Sequence, residues 1–178
     1  MRVNLLIIIG TIFTATMVIL FPVLIRKYNA GTKNCVFFLG LYITVIFILT
    51  LGIRSYNTKN IVNLQLFHCY ERIWDQLTNS IQKYGHRYDL QQIWLMRHGI
   101  CNILMNIILF LPLGYLIPLV SKRIDRFWKM LCLGFLFTLI IELFQLVTHR
   151  GWFDVDDLFH NTIGAGLGWF LYRRIYGV

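Results

Sequence analysis

Acidic residues are scarce in this chain: eight Asp and Glu stand against seventeen Lys and Arg in 178 residues. Charge of either sign is also short, at 14% of residues, while 57% are hydrophobic and mean hydropathy is +0.63. A soluble domain carries roughly a quarter charged residues to cover its surface. That shortage argues against a soluble protein and for an integral membrane one. Cysteine is sparse as well. Cys35, Cys69, Cys101 and Cys132 show no paired spacing, which supports neither a disulfide framework nor a zinc motif. Three of them lie in or beside apolar runs and are expected to be buried thiols; only Cys69 sits in a polar stretch. No internal repeats or low-complexity segments occur, and the length leaves room for one compact bundle without a second soluble domain. The net charge of +9 does not point to nucleic acid. The basic residues fall mostly between apolar runs, where they act as topology signals and as partners of anionic membrane lipids.

What is present is a series of long apolar runs, at 4–25, 35–53, 100–120, 129–148 and 158–176. Each is close to the roughly 20 residues that cross a bilayer. The first follows Arg2 as a signal peptide would. It is too long, however, and no cleavage site precedes a polar region, so it reads as a span. The expected fold is therefore all-α: a polytopic membrane helix bundle of about five transmembrane helices plus an amphipathic interfacial helix. Residues 1–53 form an N-terminal two-span region, 54–99 a connection, and 100–178 a three-span core. Arg26, Lys27, Lys33, Lys122, Arg123, Arg126, Lys129, Arg173 and Arg174 fall on one side of this arrangement. That side is expected to be cytoplasmic together with the C-terminus, which places the N-terminus and the 149–157 loop outside.

The connection is patterned. Leu66, Tyr70, Ile73, Trp74, Leu77, Ile81 and Tyr84 recur at the spacing of one helix face, with Glu71, Arg72, Asp75, Gln76 and Lys83 opposite. Such a helix, with a Trp on its apolar side, suits the membrane interface; packing over the mouth of the bundle is compatible with the same pattern. Asp89 followed by Gln92 resembles a capping box, so the next helix is expected to begin well before residue 100. Pro112 and Pro118, with Gly114 between them, predict a kink in that helix.

Polar residues inside apolar runs mark the places where chemistry can occur. Glu142, Gln145 and His149 share a face in the fourth span, and an intramembrane carboxylate costs about 2.5–3.5 kcal/mol unless it faces a bundle or wet cavity. Helix locking, acid/base chemistry, ligand binding and metal ligation all remain open for it. In "DVDD" (154–157), Asp154 or Asp156 suits a helix cap and Asp157 the positive end of the helix dipole. Asp157 shares a face with Asn161, Gly164 and Gly168. Three acids beside His149 and His160 exceed what capping needs; ion pairs with Arg150 or Arg97 are favoured over a bound metal. No metal site and no cofactor are assigned. Asn102 and Asn106 share a face of the third span, where Asn bonds across helices. Asn106, Glu142, Gln145, Asp157 and Asn161 are thus expected to line one polar pocket opening outward, with Arg150 and Asp154 facing Glu142 across its mouth. The glycines of "IGAGLG" (163–168) read as a close-packing surface, not a phosphate loop.

These segments, in order, resemble a family. "NIILFLPLGYLIPL" (106–119), "IELFQ" (141–145) and "RGWFDVDDLFHNTIGAGLGW" (150–169) are similar to the ordered signature of VanZ-like membrane proteins. "VNLQLF" (62–67) is similar to their upstream N-L-x-P-F element, with Leu66 where proline is usual. The resemblance covers about 60–175. It implies motif roles for Asn106, Pro112, Gly114, Glu142, Gln145, Arg150, Asp154, Asp157, Asn161, Gly164 and Gly168. It also implies a link to resistance against the glycopeptide teicoplanin.

Two functions follow. One is a non-enzymatic protein of the cell envelope whose outward pocket binds a lipid-linked cell-wall precursor or an acylated glycopeptide. The other is an intramembrane enzyme acting on a lipid or cell-wall precursor, with Glu142 as general base, Arg150 holding phosphate and Mg²⁺ on the aspartates. No Ser, Cys or His has the setting of an activated nucleophile, which argues against covalent catalysis. Five spans without repeats are small for a carrier. The oligomeric state is not legible in the sequence.

Overall fold

The computed structural model describes residues 31–52, 62–84, 90–124 and 126–177, with Thr16 and Tyr56. The expected first span, the Asp89 cap and the Arg97 side chain lie outside the described residues. In chain order the elements are α1 (Thr32–Phe47, widening to π geometry over Ile48–Gly52), β1 (Val62–Asn63), α2 (His68–Tyr84), α3 (Leu90–Val120), α4 (Phe127–Thr148), β2 (Phe153–Asp154) and α5 (Val155–Tyr176).

Among the described residues, three helices are long and apolar enough to cross a membrane: Thr32–Gly52, Gly99–Val120 and Phe127–Thr148. They coincide with the second, third and fourth expected spans. The fifth, α5, has the same 22-residue length as α4 but is more polar. Its position explains the difference. Asp156, Asp157, His160 and Asn161 are all buried, and the helix packs chiefly on α3 and α4. A helix face turned to protein instead of lipid tolerates polar side chains. Exposed apolar side chains include Val36 and Phe37 on α1, Leu136, Ile140 and Val147 on α4, and Phe159, Leu167 and Phe170 on the outer side of α5 itself. Cys101 and Cys132 also lie on that outer surface, contrary to the expected burial, whereas Cys35 is buried. An apolar solvent such as lipid makes outward placement of a thiol as inexpensive as burial.

The α3–α5 contact is set by glycine. A Cβ on Gly164 would strike the Ile107 backbone, one on Gly168 the backbone of Leu111 and Tyr115, and one on Gly114 that of Ala165 and Trp169. Residue numbers rise together along this seam, so α3 and α5 run parallel at near-backbone contact. α4 runs against them, with Thr138 opposite Asn161 and the Phe127 ring tilted against Phe170 at 4.8 Å. α1 runs antiparallel to α3 and beside α4: the Tyr42 hydroxyl donates to the Leu109 carbonyl, and Phe47 meets Phe137 and Phe144 edge-on. α3 stays one unbroken helix through both buried prolines. It starts at Leu90, ahead of its apolar stretch.

This arrangement gives the bundle two unlike ends. One collects Lys33, Lys122 and Arg123 just after α3, Arg126 at the start of α4, and the basic last turn of α5, Arg173 and Arg174. The other collects the end of α1, the end of α4, the start of α5, the two short strands and α2.

Candidate functional site

The second end is built around a minimal parallel strand pair. Val62 aligns with Phe153 and Asn63 with Asp154, so the upstream "VN" is held against the "FD" that opens α5. Asp154 is the hub. Its backbone N–H donates to Glu142 Oε2 at 3.1 Å, and its carboxylate accepts from the Asp156 N–H at 3.0 Å and from Asn63 Nδ2 at 3.3 Å. Asp154 is therefore the N-cap of α5. Glu142, fully buried on α4, fixes the chain entering that cap.

The other motif residues close around this hub. Asn106 on α3 donates through Nδ2 to Asp157 Oδ1 on α5. Asn161, one turn further along α5, donates to Thr138 Oγ1 on α4 at 2.7 Å. Gln145 donates to the Thr50 carbonyl in the π-turn ending α1, at 3.3 Å. Asn106, Glu142, Gln145, Asp154, Asp157 and Asn161 thus gather at one end of the bundle, each bonded to another element or to the backbone beside it. Asn102 is exposed.

Sequence reasoning missed the most connected acid. Asp156 looks like a second cap candidate, yet its carboxylate reaches back to α2 and accepts the N–H of Phe67 at 2.5 Å and of Cys69 at 2.9 Å. Burial pushes this carboxyl up, but hydrogen bonds from the Cys69 thiol and the two amides, with the His160 charge, outweigh it and hold it below the ordinary value. Burial, then the bond and charge of Asp156, in turn push the Cys69 thiol up to about 12. Phe67 takes a left-handed φ of 68° to present its N–H, directly after Leu66. Beside it, the Tyr70 hydroxyl and His160 Nε2 lie 2.8 Å apart, and Ile73 packs on Gly99 of α3. Together these contacts clamp the first half of α2 against α5 and α3 at the bundle end. Trp74 is left 65% exposed. The signal available in the sequence was Asn63 and the amphipathic face; the partners lie about 90 residues away.

Two residues sit differently from the sequence reading. His149 does not continue the Glu142–Gln145 face, because it turns to a left-handed φ of 56° and ends α4. Its N–H and that of Arg150 return to the Leu146 and Gln145 carbonyls, a Schellman closure. Arg150 follows on this fixed turn with its side chain exposed and bonded to no described residue. Asp154, Asp156 and Asp157 each serve different partners. Among the described residues, no three His, Cys, Asp or Glu side chains are grouped to hold a metal ion.

No curated protein and no solved structure matches the chain. A family model described as VanZ/LLP1 matches residues 35–176, from α1 to the last turn of α5. That span takes in every element that builds the polar end and extends upstream of the resemblance read from the motifs. The chain belongs to the VanZ/LLP1 family, membrane proteins linked in general to glycopeptide resistance.

Proposed function

We propose that this is a non-catalytic protein of the cell envelope whose polar end faces outward and engages an acylated or lipid-anchored ligand at the membrane surface. The observation that supports it most is the convergence of all the polar motif residues at one bundle end, opposite the basic one. In this reading the basic end is retained on the cytoplasmic side, and the polar end with the 149–157 turn lies outside at headgroup depth. There α2 lies across the bundle with Trp74 exposed, the disposition of an interfacial helix. In this reading Asn106, Glu142, Gln145, Asp154, Asp157 and Asn161 hold the shape of the binding end, and Arg150 with the exposed rim meets the ligand. An acyl tail lies in the bilayer while the head rests on that rim, so a lipoglycopeptide or a lipid-linked cell-wall precursor fits where a tailless drug does not.

The test expresses Glu142→Gln and Asp157→Asn at equal membrane levels and compares sensitivity to teicoplanin, which carries an acyl chain, with sensitivity to vancomycin. The reading predicts that both variants lose protection against the acylated drug, with lipid turnover undetectable with or without Mg²⁺. Full protection in both variants would sink it, and metal-dependent turnover abolished by both would replace it with an enzyme.

A further inference from the structure

The bonding pattern at the polar end separates residues that hold the end together from those that remain available. Glu142 is taken by the Asp154 N–H, Asp154 by the Asp156 N–H and Asn63, Asp156 by the Phe67 and Cys69 amides, and Asp157 by Asn106. Every described carboxylate built into this end therefore has a structural partner. Arg150 does not: its charge is exposed, and no described residue accepts from it. It is nevertheless placed with precision. The Schellman closure fixes its backbone on one side, and Gly151 (φ 133°) and the β1–β2 pair fix it on the other. Trp152, 49% exposed, follows two residues on, and Tyr56, 66% exposed, lies 5.7 Å from the His149 ring. The His149 Nδ1 atom is buried without a partner among the described residues.

A guanidinium presents its donors in a planar fork that matches phosphate two bonds at a time. At headgroup depth, flanked by amphipathic rings that favour the interface, such a fork meets phosphate carried on lipid. We infer that Arg150 is the residue that binds the phosphate of a lipid-linked ligand, held out on a rigid turn by the polar network beneath it. This rests on the outward-facing binding end proposed above and names its ligand chemistry. Arg72, also exposed and on α2 at the same bundle end, provides the internal control: it offers an equal charge without the rigid turn.

The experiment measures retention of a fluorescent polyprenyl phosphate by the full chain in phosphatidylcholine nanodiscs, with competition by phosphatidylglycerol and by inorganic phosphate. Wild type, Arg150→Gln, Arg150→Lys and Arg72→Gln are compared. Losing charge-assisted bidentate bonds predicts about a ten-fold or greater weakening in Arg150→Gln. Partial recovery is expected in Arg150→Lys and little change in Arg72→Gln. Competition by phosphatidylglycerol assigns the site to bulk phospholipid phosphate, and resistance to it assigns the site to the polyprenyl-linked group; inorganic phosphate alone competes weakly in both cases. Equal losses in Arg72→Gln and Arg150→Gln would reduce the effect to diffuse surface charge and overturn the inference. Wild-type retention in Arg150→Gln would also overturn it. If the wild type binds acylated glycopeptide but not the phosphate lipid, the phosphate inference fails while the outward binding end stands; if it binds neither, both fail.

Discussion

Replacing Gly164 with alanine tests how closely α3 and α5 must approach for the polar end to form. The new Cβ would lie 3.0 Å from the Ile107 carbonyl carbon and 3.1 Å from its Cα, and closer still to its oxygen. Ordinary carbon contacts sit at about 3.5–4.0 Å, so the helices must part by roughly half an ångström or more. Neither neighbour can move aside, since both are main chain. Overpacking of this kind costs about 1–3 kcal/mol, set against a helix-propensity gain of about 0.5–1 kcal/mol for replacing glycine. Gly166 gives the comparison on the same helix: its nearest atoms are Leu131 Cδ2 at 3.0 Å and Phe127 Cε2 at 3.1 Å, ends of side chains that can shift. Gly40 has nothing within 4 Å and reports the propensity gain alone. Thermal unfolding of purified protein in one detergent should place Gly164→Ala and Gly168→Ala several degrees below wild type, Gly166→Ala near it, and Gly40→Ala at or above it. At about 2–4 °C per kcal/mol for a chain of this size, the contrast is measurable. Equal melting temperatures across the series would refute the backbone-contact account of the seam.

Asp156→Asn should release α2: amide exchange across 67–84 should speed up by about ten-fold or more, the loss of two charge-assisted bonds, while α4 stays protected. The same clamp should respond to pH in a defined direction. Because the folded Asp156 carboxyl sits below its ordinary value, its contribution is complete above that value and disappears as pH falls through the lowered one. Protection of α2 should hold from neutrality to roughly pH 4 and fail only beneath it; loss between pH 7 and 5 would contradict the assignment. Cys69, whose thiol is pushed up to about 12, should resist alkylation at pH 8 in the native protein and become reactive in Asp156→Asn.

Much of the bundle was legible because apolar run length and the bilayer impose the same constraint. Spans two to four needed only counting, and Gly164 and Gly168 announced a packing face by their spacing. The extent of α5's burial was not legible, because hydropathy treats a polar helix end as a boundary, whereas here neighbouring helices supply its partners. The gathering of Asn106, Glu142 and Asp157 could be anticipated from their places near span ends. Their pairing could not. Asn63 with Asp154, Tyr70 with His160, and Asp156 with the amides of 67 and 69 join segments about 90 residues apart, and no local periodicity encodes them. Arg150 shows the opposite error: nearby acids invited an ion pair, but the left-handed turn at His149 carries the arginine outward while backbone and asparagine side-chain amides occupy the acids.

The central claim is that the polar end faces out of the cell and displays the Arg150 turn. Its most direct measurement is labelling of single cysteines, Arg150→Cys and Lys122→Cys, each in a background lacking the four native thiols, with a membrane-impermeant maleimide on intact cells. The account predicts that position 150 labels from outside and position 122 only after permeabilisation. Labelling of 122 from outside with 150 protected would invert the topology and remove the basis for an external ligand.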